Sequence, residues 1–223
     1  MLIATGAAAV LVATSLAAGA AAPATLPAPP PIVVNVSVAE NVPASLVAVT
    51  VAETEAIFKS AGISFIWRYG PPSLTMLTVA IGNQRGMPKD SVMPLGWIVF
   101  EDGRPDQQIY LSYANAHQFL LDARSVVGTV TNMPRAEREA MIGRTMGRAL
   151  AHELGHYLLA TKVHTQKGLM KAVRSAQEFF SNDRGRFQLE PVQRLQIATR
   201  LRAEAVVASR NPGSGRVRGG ISQ

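Results

Sequence analysis

Apolar positions along this chain switch between a period of two and a period near 3.6, and the switches mark its elements. Ile32 to Ala39 (IVVNVSVA) alternates and is rich in β-branched residues, which predicts a strand. Pro43 to about Ala61 carries apolar residues at helical spacing and stops at Gly62, a residue suited to a helix C-terminus. Ile63 to Arg68 puts Ile63, Phe65 and Trp67 on one face of a second strand, and Leu74 to Ile81 predicts a third. Leu95 to Phe100 and Gln107 to Tyr113 predict a fourth and a fifth, joined by a turn built on Asp102-Gly103-Arg104-Pro105. The order is strand, helix, then four strands.

The second half reads as helical. Arg135 to about Thr161 has no internal proline, and Met146, Leu150, Leu154 and Leu158 stack along one side. Gly143, Gly147, Ala151 and Gly155 recur every four residues on the same helix. A glycine inside a helix costs about 1 kcal/mol unless close packing offsets it, so the stripe predicts a neighbour lying tight against this helix. Pro191 to about Ala208 predicts a last helix, with proline in its first turn and basic side chains toward its end. The whole reads as an α+β fold with a small helical C-terminal part.

The two ends differ from the body. Residues 1–22 (MLIATGAAAVLVATSLAAGAAA) are small and apolar, and no charged side chain precedes Glu40. They read as a signal peptide without a basic start, with small-x-small cleavage sites between Ala18 and Ala24. A retained N-terminal membrane anchor is the alternative, because a run of that length can span a bilayer. Both readings put the body outside the cytoplasm, secreted or periplasmic, and cleavage leaves no stable membrane insertion. Residues 23–31 form a Pro-rich linker, 32–210 the folded domain, and 211–223 a basic tail whose Gly, Ser and Arg content predicts disorder.

Composition narrows the chemistry. The 223 residues are 48% hydrophobic, enough for a sizeable core. There is no cysteine, which excludes a disulfide framework, a thiol nucleophile and Cys-based zinc knuckles. Five arginines from Arg200 onward against the single Glu204 carry +4 of the formal +7. With the charge concentrated there as a solvated end and no aromatic interleaving, no nucleic-acid partner is expected.

Only four histidines occur, and His152, His156 and His164 fall within thirteen consecutive residues. His152-Glu153-Leu154-Gly155-His156 is a HExxH on the long predicted helix. Residues four apart share a helical face, so both imidazoles can reach one ion, while Glu153 flanks them and can address a water. Catalytic zinc sites take three protein ligands, so a third is required. His164 is one candidate, reached if the chain turns back after Thr161; Glu178, on a following helix-like run, is the other. His117 lies far away in sequence and reads as structural or exposed.

The stretch Ala151 to Ala172, AHELGHYLLATKVHTQKGLMKA, resembles the zinc-binding segment of the metzincin clan of metallopeptidases, and within it the small secreted bacterial members. The resemblance implies a five-stranded mixed sheet with a backing helix and an HExxH active-site helix. It implies one Zn2+ held by His152, His156 and His164, a turn at Gly168-Leu169-Met170 beneath the metal, and substrate along the fourth strand as an exposed edge. Two positions depart from the clan. Leu159 stands where it has glycine, with an interval to the third histidine two residues longer, and Ala172 stands where some members carry a tyrosine.

The function these residues imply is a secreted zinc-dependent metallopeptidase acting on a peptide or protein substrate, with Glu153 as general base. A non-catalytic, zinc-stabilised binding module of the same fold is the alternative. The presence of Glu153 favours the enzyme, because a purely structural site has no use for a base beside its ligands.

Overall fold

The computed structural model describes residues 28–73, 75–86 and 93–210; the signal-peptide and tail readings, and the first part of the linker, lie outside the described residues. Among these, five strands and six α-helices run in the order β1 (Ile32–Val38), α1 (Ala44–Lys59), β2 (Phe65–Tyr69), β3 (Thr78–Gly82), β4 (Gly96–Glu101), β5 (Arg104–Ser112), α2 (Tyr113–Asp122), α3 (Arg124–Val127), α4 (Arg135–Leu159), α5 (Ala176–Phe180) and α6 (Pro191–Arg210). The strands form one mixed sheet of order β2-β1-β3-β5-β4. All neighbours are parallel except β4, which runs antiparallel to β5 and forms an edge. The α+β class and the five-stranded mixed sheet are thus as the sequence reading has them. No helix of the described residues is long and apolar enough to cross a membrane.

Strand alternation supplies the core. Val34, Val36, Val79, Ile81, Ile109 and Leu111 are buried, and they cluster with Leu46, Ile57 and Phe58 of α1 and with Met146, Leu150 and Leu154 of α4. Phe65 and Trp67 follow the predicted face: Phe65 meets Phe58 edge-on, with ring centroids 5.2 Å apart. The glycine stripe has its neighbour in α1. A Cβ on Gly147 would stand 2.7 Å from Thr50 O, and one on Gly143 2.9 Å from Leu46 O. Thr54 Oγ1 uses this close approach to donate to Gly147 O at 3.0 Å.

Three local readings are corrected. The β4–β5 turn is two residues, Asp102 and Gly103, both at positive φ (49° and 77°), the backbone that a right-twisted hairpin requires. Arg104 and Pro105 therefore belong to β5, with Pro105 opposite Phe100. Next, β5 ends at Ser112, whose side chain accepts from Asn115 N and starts α2, a helix the strand reading of Tyr113 overran. His117, on α2, is half-buried with its ring 6.3 Å from that of Tyr113. Finally, Arg200 is no part of a solvated end. Its Nη1 donates to Tyr157 O and Leu158 O at 3.0 and 3.3 Å, so α6 caps the last carbonyls of α4.

Candidate metal centre

The site is built where α4 ends. Ala160 adopts a left-handed conformation (φ 49°, ψ 45°), its N–H bonds Tyr157 O at 3.2 Å, and Thr161 N reaches back to His156 O at 3.2 Å. This is the paired closure that reverses the chain at a helix C-terminus. The left-handed residue thus stands one position after Leu159. A left-handed alanine is strained by about 1 kcal/mol, and Ala160 is exposed, so no packing is lost on removing its methyl. Ala160→Gly is accordingly expected to stabilise the fold by about 1 kcal/mol, read from the urea midpoint; an unchanged or lower midpoint would contradict this account of the turn.

The reversal carries His164 over the two helical histidines. His156 Nε2 lies 3.0 Å from His152 Nε2 and 3.2 Å from His164 Nε2. The three form a group whose ligand atoms all lie within 4.8 Å of one another. Two backbone carbonyls orient the helical pair: Leu169 O is 2.9 Å from His152 Nδ1 and Thr161 O is 2.7 Å from His156 Nδ1. A carbonyl only accepts, so Nδ1 carries the proton in both rings and Nε2 presents its lone pair. Burial pushes the His152 imidazole down to about 3 and lowers that of His156, keeping both neutral. The Nε2 lone pairs of His152 and His156, 3.0 Å apart, repel unless a cation lies between them, and an all-nitrogen set completed by the His164 imidazole suits a borderline-soft divalent ion. The residues therefore fit a metal.

Glu178 is committed elsewhere. It closes a capping box with Ser175 at the start of α5, and its carboxylate meets Lys171 Nζ at 3.2 Å and Arg174 Nη1 at 3.5 Å. Among the described residues the candidate ligand group holds His164 and not Glu178. His164→Ala is expected to emerge from mild dialysis without its ion, and Glu178→Ala to remain loaded, when metal per chain is measured by elemental analysis. The reverse pattern would reassign the third ligand.

The floor of the site is the Gly168-Leu169-Met170 turn. Gly168 is at φ 70°, and a Cβ there would meet Gln188 O at 2.9 Å. Met170 is fully buried with its sulfur against Gly155, in space that a Cβ at 155 would occupy. The last glycine of the stripe thus admits this methionine, while Gly143 and Gly147 admit α1. Thr165 N donates to Met170 O at 2.9 Å, tying the His164 loop to the turn.

Glu153 points to the opposite wall. It is 8% exposed, and its Cγ would be 3.3 Å from a Cβ on Gly96, the first residue of β4. Burial pushes its carboxyl up to about 8, opposed by a hydrogen bond from the Ile98 backbone amide. Phe100 stands edge-on to His156 with centroids 6.4 Å apart, and Lys162 Nζ lies 5.2 Å above the Phe100 ring. The chain matches no family model and no curated protein. What the site can do is therefore read from its own residues. Sequence reasoning passed over Gly96, Ile98, Phe100 and Lys162, because the β4–α4 contact that gathers them leaves no periodic signal.

Proposed function

We propose that this protein is a secreted or periplasmic zinc-dependent metallopeptidase of the metzincin type, hydrolysing peptide bonds with His152, His156 and His164 as ligands and Glu153 as general base. One observation carries the reading: three imidazole Nε2 atoms converge beside a buried carboxyl under an edge strand. When bound, zinc supplies Lewis acidity, bringing the pKa of water to about 7 and polarising a carbonyl. His152 and His156 hold their proton at Nδ1 against Leu169 O and Thr161 O, which keeps Nε2 free for coordination. With a divalent ion held by the histidines, the Glu153 carboxyl, which burial alone raises to about 8, would be favoured in its ionised form. The carboxylate would then take a proton from the attacking water and return it to the leaving amine. The edge position of β4 supports an extended peptide added alongside it by main-chain hydrogen bonds.

The test is cleavage of an unstructured casein-type substrate by the purified protein, abolished by a chelator and restored by Zn2+. Stoichiometric zinc with no cleavage of any unfolded substrate would favour a metal-stabilised binding module instead.

A further inference from the structure

The Leu169 carbonyl is shared by two side chains. It accepts from His152 Nδ1 at 2.9 Å and from Arg174 Nη2 at 3.3 Å. The same Nη2 donates to Gly168 O, so one guanidinium edge grips two successive carbonyls of the turn beneath the imidazoles. Arg174 is no surface cation: its side chain is 4% exposed, and its Cζ lies 4.0 Å above the ring of the buried Phe187. Phe187 also carries the guanidinium of Arg148, at 4.4 Å from the same centroid. Arg148 stands one helical turn before His152 on α4 and pairs with Glu53 of α1 at 2.9 Å.

A methionine at 174 could cover Phe187 without the cost of burying a charge. What arginine adds is a planar guanidinium that lies over the Phe187 ring while its Nη2 donates to both carbonyls and its Nη1 faces Glu178. Its other partner, Glu178 at 3.5 Å, holds the fork from the far side. The polar end of Arg174 thus contacts the carbonyl that sets the rotation and tautomer of His152, together with the Gly168 carbonyl before it.

We propose that Arg174 is a positioning residue for His152, acting through the Leu169 carbonyl. The inference rests on the metal reading above. Outer hydrogen-bond partners of ligating histidines typically change metal affinity by about 10–100-fold when removed. Arg174→Met is expected to weaken binding within that range. Arg174→Lys, which keeps the charge but cannot reach the carbonyls with one nitrogen while holding Glu178 with a second and lying flat on the Phe187 ring, should fall in between.

The experiment uses the full exported chain, titrated with Zn2+ and with Co2+ against a chromophoric chelator, together with the visible spectrum of the Co2+ form and the melting of the metal-free form. Cobalt absorption reports ligand geometry. A changed spectrum with about 10–100-fold weaker binding in folded Arg174→Met supports the proposal. Affinity within twofold of the parent and an unchanged spectrum would overturn it, whatever happens to stability, because a merely structural arginine moves only the melting. Should Arg174→Met not fold, Arg174→Lys decides by the same two readouts: several-fold weaker binding with an altered spectrum supports, parental values overturn. A parent chain that takes up neither ion overturns the metal reading and this inference with it, a result distinguishable from a variant that binds like its parent.

Discussion

Glu153→Gln is expected to keep the ion bound while lowering hydrolysis by about 10²–10⁴-fold, the range supplied by a positioned general base. The amide is nearly isosteric with the carboxyl, so the packing of this side chain against Gly96 is kept and the three histidines are untouched. Glutamine cannot take a proton from water at neutral pH. Elemental analysis and casein cleavage on the same sample separate the two effects; equal activity would remove Glu153 from the mechanism. The variant has a second signature in the metal-free chain. Burial raises the Glu153 pKa from 4.5 to about 8, so the folded state holds this proton more tightly than the unfolded one. That contribution is fully present below pH 4.5 and is lost as pH rises through about 8. Metal-free wild type should therefore lose stability relative to Glu153→Gln between those limits, with melting temperatures at pH 5 and pH 9 as the check.

The parts of this architecture legible in the sequence are those written in side-chain periodicity. Alternation in Ile32–Val38 and apolar spacing in Ala44–Lys59 translate directly into β1 and α1, because each buries one face against a common core. The i, i+4 spacing of His152 and His156 places both on one face without knowledge of anything else. The third histidine is different in kind. It depends on a left-handed turn at Ala160, and nothing about an alanine announces a positive φ. Glu178 looks equally available until Ser175, Lys171 and Arg174 are seen to occupy its oxygens. Their segment has no period to read, since α5 is only five residues long. The helix α2 was hidden for a related reason: its buried face is only Asn115, Ala116 and Leu120.

A buried ion pair between α1 and α4 reaches into the same non-periodic segment. Glu53 is 4% exposed and bonds Arg148 Nε at 2.9 Å and Arg184 Nη2 at 2.7 Å. Arg148, 1% exposed, also donates to the carbonyls of Glu178 at 2.5 Å, Phe179 at 3.2 Å and Asp183 at 3.0 Å. One guanidinium thereby joins α1, α4 and the stretch that carries Phe187. Removing one partner of such a pair strands a buried charge and costs about 3–5 kcal/mol, a third or more of a typical domain's stability. Glu53→Met is expected to lose that much, measured by urea unfolding of the metal-free chain. Arg148→Met leaves Glu53 its Arg184 partner but strips three carbonyls of their donor, so a loss of similar size is expected. The double variant leaves no stranded charge. Its loss should therefore be smaller than the sum of the two single losses by more than about 1 kcal/mol, the coupling expected of residues in direct contact. Strict additivity would mean that Glu53 and Arg148 stabilise the fold independently, and that Arg148 is held by its three carbonyls and the Phe187 ring alone.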